Sequence, residues 1–231
     1  MKLSIIIPCY NELRTLPEIV RRVVAIDIGK IEKEIIIVDD GSTDGCRELL
    51  HSWNNSEQYK ILYHDNNKGK GTALRTGISY ASGDIITFQD ADLELDPRDL
   101  VKLIKPIIEG EYAVVYGSRF LTNRNSRSKF SLFQIGNTVL TKFANILYDV
   151  KLSDLYTCYK VFRSDILNTI PLTCTHFEFC PEITSKVLKM GMEIKEMQVS
   201  YKPRSITDGK KIKWHDGLDG LWTLIKFRFK N

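Results

Sequence analysis

No run in this 231-residue sequence comes near the roughly 20 apolar residues that a membrane-crossing helix requires. The opening stretch, Met1 to Pro8, is also too short for a secretory leader. It passes into polar Tyr10-Asn11-Glu12 without a small-residue cleavage site, so no export signal is expected. Cysteine is scarce and odd in number. Cys9, Cys46, Cys158, Cys174 and Cys180 show neither a disulfide framework nor zinc-ligand spacing, and reduced thiols in a cytoplasmic compartment are expected. No Gly-x-Gly-x-x-Gly follows the first apolar run, which argues against a dinucleotide oxidoreductase. Lys68-Gly69-Lys70-Gly71-Thr72 lacks the spacing of a phosphate loop.

A broad basic footprint is missing too. Residues 1–200 hold 25 Lys+Arg against 26 Asp+Glu, while residues 201–231 hold 8 against 3, so the net +4 belongs to the C-terminal end. Without a nucleic-acid reading motif, that distribution excludes a nucleic-acid partner and suits phosphate groups on a ligand or on anionic lipid.

What is present is an ordinary globular composition, 43% hydrophobic and 27% charged, with no repeat or linker. One α/β domain over 1–231 is expected, with helices flanking a mostly parallel central sheet. Strands are read at 3–7, 34–38, 60–63, 85–88, 113–116 and 194–200. Helices are read at 16–28, from 43 or 44 with Ser42 or Thr43 as cap, and at 69–81, 97–109, 132–148 and 178–190. The polar stretch 121–131 reads as a mobile loop.

Polar clusters sit after the strands: Pro8 to Glu12, Asp39 to Ser42, Asp90 to Glu94, and Gly117 to Arg119. Ligands of open α/β sheets collect at those strand ends. Asp90, Asp92 and Glu94 alternate, so in an extended backbone their carboxylates share one side. Their mutual repulsion invites a hard cation, Mg²⁺ or Mn²⁺, that would neutralise a departing diphosphate. The guanidinium of Arg119 fits phosphate recognition. Asp39-Asp40-Gly41-Ser42 offers acceptors for ribose hydroxyls. The segment 201–214, with Arg204 and Lys210, could close over a bound diphosphate. In 212–230, Leu218, Leu221, Trp222 and Ile225 fall on one helical face, beside Lys226, Arg228 and Lys230. Two readings stay open for that face: packing on the domain, or lying on an anionic membrane. If both hold, Trp222 packs inward and Phe227 and Phe229 meet lipid.

Ile6-Ile7-Pro8-Cys9-Tyr10-Asn11-Glu12, Val38 to Gly45, Lys68-Gly69-Lys70-Gly71, Asp90-Ala91-Asp92, Gly117-Ser118-Arg119-Phe120 and Tyr201-Lys202-Pro203-Arg204 cover nearly the whole chain. Together they resemble the inverting glycosyltransferase family 2 that includes cellulose, chitin and polyprenyl-phosphate sugar synthases. Within it the likeness is to the dolichyl-phosphate mannose and glucose synthase group. The resemblance implies a GT-A-type nucleotide-sugar-binding fold. Pro8, Tyr10, Glu12, Val38 and Asp40 would surround base and ribose, with Lys70, Ala91 and Lys210 as further donor contacts. Asp90, Asp92 and Glu94 would hold metal and diphosphate, although the group often has glutamine at the position of Glu94. Arg119, Asp154 and Arg204 would serve the transfer itself. The Gln-x-x-Arg-Trp motif of processive synthases is missing, which argues against long-chain polymerisation.

The expected reaction moves a hexose from a GDP- or UDP-sugar to a polyprenyl phosphate at the cytoplasmic membrane face. The alternative is a hydroxyl acceptor on a glycan or lipid-linked saccharide, with Asp154 or Glu178 as base. A non-catalytic nucleotide-sugar-binding scaffold is a third reading. Contact with an anionic membrane or a membrane protein is expected to be peripheral.

Overall fold

The computed structural model describes residues 1–54, 58–121, 132–204, 211 and 214–230. Seven strands form one sheet: β1 (Lys2–Cys9), β2 (Glu32–Asp39), β3 (Tyr59–Tyr63), β4 (Ile85–Phe88), β5 (Val114–Ser118), β6 (Lys160–Arg163) and β7 (Ile194–Gln198). Their order is β3-β2-β1-β4-β6-β5-β7. All neighbours run parallel except β6, which is antiparallel to both β4 and β5. Helices α1 (Leu16–Ala25), α2 (Cys46–Trp53), α3 (Lys70–Tyr80), α4 (Asp99–Ile108), α5 (Leu132–Tyr148), α6 (Ser164–Leu167), α7 (Phe179–Lys189) and α8 (Trp214–Phe229) complete the fold.

The strand chemistry explains the sheet's centre. Ile5, Ile6 and Ile7 of β1 and Ile36, Ile37 and Val38 of β2 are all fully buried. Unbroken β-branched runs of this kind are what a sheet covered on both faces requires. Strand order reverses between β1 and β4, and a crevice opens there at the carboxyl ends of the strands.

The expected α/β class and mostly parallel sheet are both found. The reversed strand β6 is not anticipated from sequence, because Lys160-Val161-Phe162-Arg163 offers only two apolar residues between two cations. Helix α2 begins at Cys46 and not at 43 or 44. Gly45, at φ +93°, precedes it, and Asp44 accepts from the Cys46 N–H at 3.0 Å. Ser42 is committed elsewhere, accepting from the Asn11 N–H at 3.0 Å. The loop expected at 121–131 lies outside the described residues apart from Leu121.

The largest correction concerns α8. Of the face Leu218, Leu221, Trp222 and Ile225, for which packing and lipid contact were both open, Leu221 packs beside Leu224 and Ile225 is half-buried, but the other two residues point to solvent. Trp222 is 64% exposed and Leu218 58%, whereas Gly220, Thr223, Leu224 and Phe227 are buried. The buried set packs on α5 and α7, with the Lys186 ammonium 4.2 Å from the centre of the Phe227 ring. Phe227 therefore faces inward and Trp222 outward, the reverse of the expectation. Among the described residues, no helix is long and apolar enough to cross a membrane.

Candidate active site

A cavity of about 640 Å³ opens at the carboxyl edge of the sheet. Its wall includes Pro8, Tyr10, Glu12, Asp40, Lys70, Asp90, Ala91, Asp92, Glu94, Arg119 and Arg204. Eleven residues nominated from sequence thus converge, drawn from segments that span nearly the whole chain. Val38 does not join them: it is fully buried, paired between Pro8 and Leu62 inside the sheet. Lys210 lies outside the described residues.

Asp40 shapes this wall. Its carboxylate accepts from the His64 Nδ1–H at 2.7 Å, the Lys68 N–H at 2.9 Å and the Gly69 N–H at 2.8 Å. A carboxylate only accepts, so the His64 proton sits on Nδ1, and Nε2 faces the Thr76 hydroxyl at 3.0 Å. Asp40 therefore fastens the glycine loop that leads into α3. Gly69 is needed there: its φ is +92°, and an added Cβ would lie 2.2 Å from His176 Nδ1. Gly69→Ala is expected to cost about 2 kcal/mol through backbone strain and collision. Thermal unfolding with and without a nucleoside diphosphate checks this, and the mutant should lose the nucleotide-dependent shift as well.

The acidic segment is a turn, not the extended strand assumed from its alternation. Leu93 adopts φ +61°, and Asp92 Oδ1 accepts the Glu94 N–H at 3.0 Å. Each carboxylate meets a different cation or donor. Asp90 takes the Lys70 ammonium at 2.6 Å. Asp92 takes Arg204 Nη2 at 3.2 Å, and Glu94 accepts the Arg204 backbone N–H at 2.8 Å. Among the described residues no three His, Cys, Asp or Glu side chains are grouped around one point that could hold a metal ion, and Asp90, Asp92 and Glu94 are each turned to a separate partner.

The charge balance still suits a hard cation. Burial, then the charges of Asp90 and Glu94, push the Asp92 carboxyl up to about 7. Burial also disfavours the Asp90 anion, but Lys70 outweighs it and holds that carboxyl low. The segment carries more negative charge than Lys70 and Arg204 relieve, and all its donors are oxygen. Mg²⁺ commonly takes one or two carboxylates together with phosphates, so Asp90 and Asp92 are enough.

The C-terminal segment reaches the wall through cations. Arg204 forks onto Glu12 at 3.1 and 3.2 Å, and the Lys211 ammonium meets the same carboxylate at 2.8 Å and the Tyr10 carbonyl. Lys211 was not nominated from sequence, because adjacent Lys210 and Lys211 are indistinguishable by pattern. Tyr156, His176, Phe177, Asp216 and Asp219 also line the cavity without a sequence signal. They come from loops, and from the first turns of α8, where a carboxylate reads in sequence as ordinary helix surface.

Arg119 and Asp154 form a buried pair. Arg119 Nε and Nη2 donate to Asp154 at 2.7 and 2.8 Å, the Arg119 N–H adds a third bond at 3.1 Å, and Asn137 Nδ2 donates at 3.0 Å. Burial disfavours the guanidinium charge, yet the Asp154 carboxylate outweighs burial and raises the Arg119 pKa further. The Tyr201 ring lies 5.1 Å from the guanidinium carbon. Arg119 reaches the cavity wall, whereas Asp154 is fully buried behind it. Glu178 is not on the wall: it accepts the Thr175 and His176 N–H groups at 2.9 and 3.1 Å.

Comparison with known proteins agrees with this architecture. The family model described as Glycosyl transferase family 2 matches residues 4–170. The chain is 30% identical over 204 residues to the low-salt glycan biosynthesis hexosyltransferase Agl6 of Haloferax volcanii, covering 87% of this chain and 48% of that protein. It thus spans about half the length of that relative. Among solved structures, glucosyl-3-phosphoglycerate synthase from Mycobacterium tuberculosis, bound to Mn²⁺, UDP and phosphoglyceric acid, superposes with a TM-score of 0.72 at 16% identity. That superposition covers 99% of this chain and 78% of that one. TarS from S. aureus gives a TM-score of 0.63 at 20% identity, covering 99% and 72%. At such identities these two structures speak to the fold alone.

Proposed function

Because this chain belongs to glycosyl transferase family 2, we propose that its cavity transfers a hexose, with inversion, from a GDP- or UDP-sugar to a polyprenyl phosphate. The observation that carries the acceptor class is the state of the two nominated bases. Asp154 is saturated by Arg119 and Asn137, and Glu178, which holds the Thr175 and His176 N–H groups on Oε1, lies away from the wall. A hydroxyl acceptor needs a group to take its proton. A phosphate acceptor is already an anion and needs cations to hold it.

Asp90 and Asp92 would hold Mg²⁺ or Mn²⁺, which when bound offsets charge on the leaving diphosphate. Lys70, Arg204 and Lys211 lie around that position and stabilise the same developing charge. Arg119, gripped by Asp154, presents its remaining guanidinium edge to the acceptor phosphate. Asp154 is in this reading a positioning residue. Pro8, Tyr10, Glu12 and Ala91 lie on the donor side of the wall, and Asp40 acts by fixing the loop at Gly69.

The test is product analysis by mass spectrometry. Purified protein is incubated with Mn²⁺ or Mg²⁺, a panel of GDP- and UDP-hexoses, and polyprenyl phosphate or a lipid-linked saccharide. The expected product is an acid-labile lipid phosphohexose. Transfer only to saccharide hydroxyls would overturn the acceptor assignment and point to Asp216 or Asp219, the carboxylates that α8 brings to the wall. Chelation by EDTA is expected to reduce turnover to background, with recovery on adding Mn²⁺.

A further inference from the structure

Two of the five cysteines meet in space although they are 37 positions apart in the chain. The Cys9 and Cys46 sulfurs lie 3.1 Å from each other, and both residues are buried. Cys9 ends β1 and Cys46 opens α2. All five cysteines are free thiols, and among the described residues no other two cysteine sulfurs touch.

The segments that carry the pair are already laced together. The Asn11 N–H donates to Ser42 Oγ at 3.0 Å, the Thr43 N–H to Asn11 Oδ1 at 2.7 Å, and the Leu13 N–H to Asp44 Oδ2 at 2.9 Å. Neither sulfur has far to travel, since a bonded pair stands about 2.0 Å apart, roughly 1 Å closer than these thiols. Cys9 lies on the cavity wall between Pro8 and Tyr10, whereas Cys46 does not reach it. The two thiols are unequal. The Cys9 S–H donates to Cys46, which raises the Cys9 pKa and lowers that of Cys46 against the opposing effect of burial, and the Glu12 N–H also favours the Cys46 thiolate.

We propose that Cys9 and Cys46 form a redox modification site, at which a peroxide entering the cavity makes a disulfide that weakens nucleotide binding. The Cys9 sulfur gives its proton to the neighbouring Cys46 thiolate and attacks one peroxide oxygen. The O–O bond breaks, hydroxide leaves, and Cys9 becomes a sulfenic acid. The Cys46 sulfur then releases that proton to the hydroxide, forming water, and attacks the Cys9 sulfur. The S–O bond breaks and a second hydroxide leaves. Thiol, thiolate and peroxide have become disulfide, water and hydroxide, and the two electrons lost by sulfur have reduced the peroxide oxygens. The new bond draws the end of β1 towards α2. Tyr10 and Glu12 follow Cys9 directly, and Glu12 is the carboxylate that holds Arg204 and Lys211. Misplacing a positioned site by about 1 Å can cost about 10²-fold. The inference rests on the donor half of the reading above, a nucleoside diphosphate in this cavity, and not on the acceptor.

Reduced protein is treated with hydrogen peroxide, freed of it, alkylated and digested with trypsin for mass spectrometry. Peptides 3–14 and 34–47, which carry Cys9 and Cys46, are expected to be joined, and dithiothreitol should separate them. Calorimetric titration with GDP and UDP in the presence of Mn²⁺ should show affinity about tenfold weaker after oxidation, restored by dithiothreitol. Cys46→Ser and Cys9→Ala should each yield no joined peptides and keep the affinity of their own untreated state. Unjoined peptides in protein whose Cys158, Cys174 or Cys180 has gained oxygen would overturn the proposal. So would joined peptides with unchanged affinity, or an equal loss of affinity in both variants, which would trace it to another thiol. Reduced protein that binds neither nucleotide would overturn the donor reading and the nucleotide effect with it, while joined peptides would still establish the disulfide.

Discussion

Asp154→Asn is expected to unfold about 10 °C below the parent protein, a larger loss of stability than any other single change at the site. Asp154 is fully buried, and its two oxygens accept from Arg119 three times and from Asn137 once. Removing its charge leaves a guanidinium whose side chain is only 15% exposed without a counter-ion. Breaking one partner of a buried pair typically costs about 3–5 kcal/mol, far more than the pair itself contributes. For a chain of this length each kcal/mol shifts the midpoint by about 2–4 °C. The double variant Asp154→Asn/Arg119→Met removes both charges and should recover part of the loss, which a double-mutant cycle by calorimetry would measure. The contrary result is also informative. A parent-like midpoint together with abolished turnover would make Asp154 a proton acceptor and revive the hydroxyl acceptor.

Asp92→Asn should separate the same two quantities in the opposite sense. Turnover is expected to fall by about 10²–10³-fold, the usual effect of removing one group that stabilises charge in the transition state. The midpoint should hold or rise. Asp92 lies among the charges of Asp90 and Glu94, which burial intensifies, and an amide relieves that crowding while keeping an acceptor for the Glu94 N–H. Steady-state kinetics at saturating Mn²⁺, paired with thermal unfolding, gives both numbers. Turnover within twofold of the parent would remove Asp92 from the reaction.

The sequence is most legible where one physical demand acts alone. Runs such as Ile5-Ile6-Ile7 and Ile36-Ile37-Val38 must be buried on both faces, so strands, sheet class and the functional edge all follow from them. The polar clusters after the strands are legible for the same reason, since chain direction puts them on one edge. Position along the chain is a poorer guide where two demands compete. Asp154 looks like a free carboxylate in sequence, and only the fold brings Arg119 and Asn137 to it. Asp90, Asp92 and Glu94 alternate as a strand would, but Leu93 turns the backbone to φ +61° and redirects them. In α8 the richer apolar stripe leaves its partner undecided in sequence, whereas burial selects Gly220, which lets Tyr156 approach: an added Cβ would lie 2.0 Å from its hydroxyl. A glycine carries no hydropathy signal for that role.

The reversed strand β6 has a kinetic consequence. Strands β1, β2 and β3 join through short crossovers, but Ile85 pairs with Arg163 and Ser118 with Gln198, partners roughly 80 positions apart along the chain. Closing loops of that length costs entropy before any contact rewards it, and distant pairings slow folding. The β1-β2-β3 half of the sheet can therefore assemble from nearby segments, while the joins on both sides of β4, Leu3 with Ile85 and Ile85 with Arg163, and the seam beyond it through β6, β5 and β7 wait for more distant ones. Arg119 and Asp154 flank that seam, so the pocket is completed in the same slow step that completes the sheet. During synthesis the chain must emerge at least through Arg163 before β6 can join β4, and until then the exposed edge of β4 has no partner.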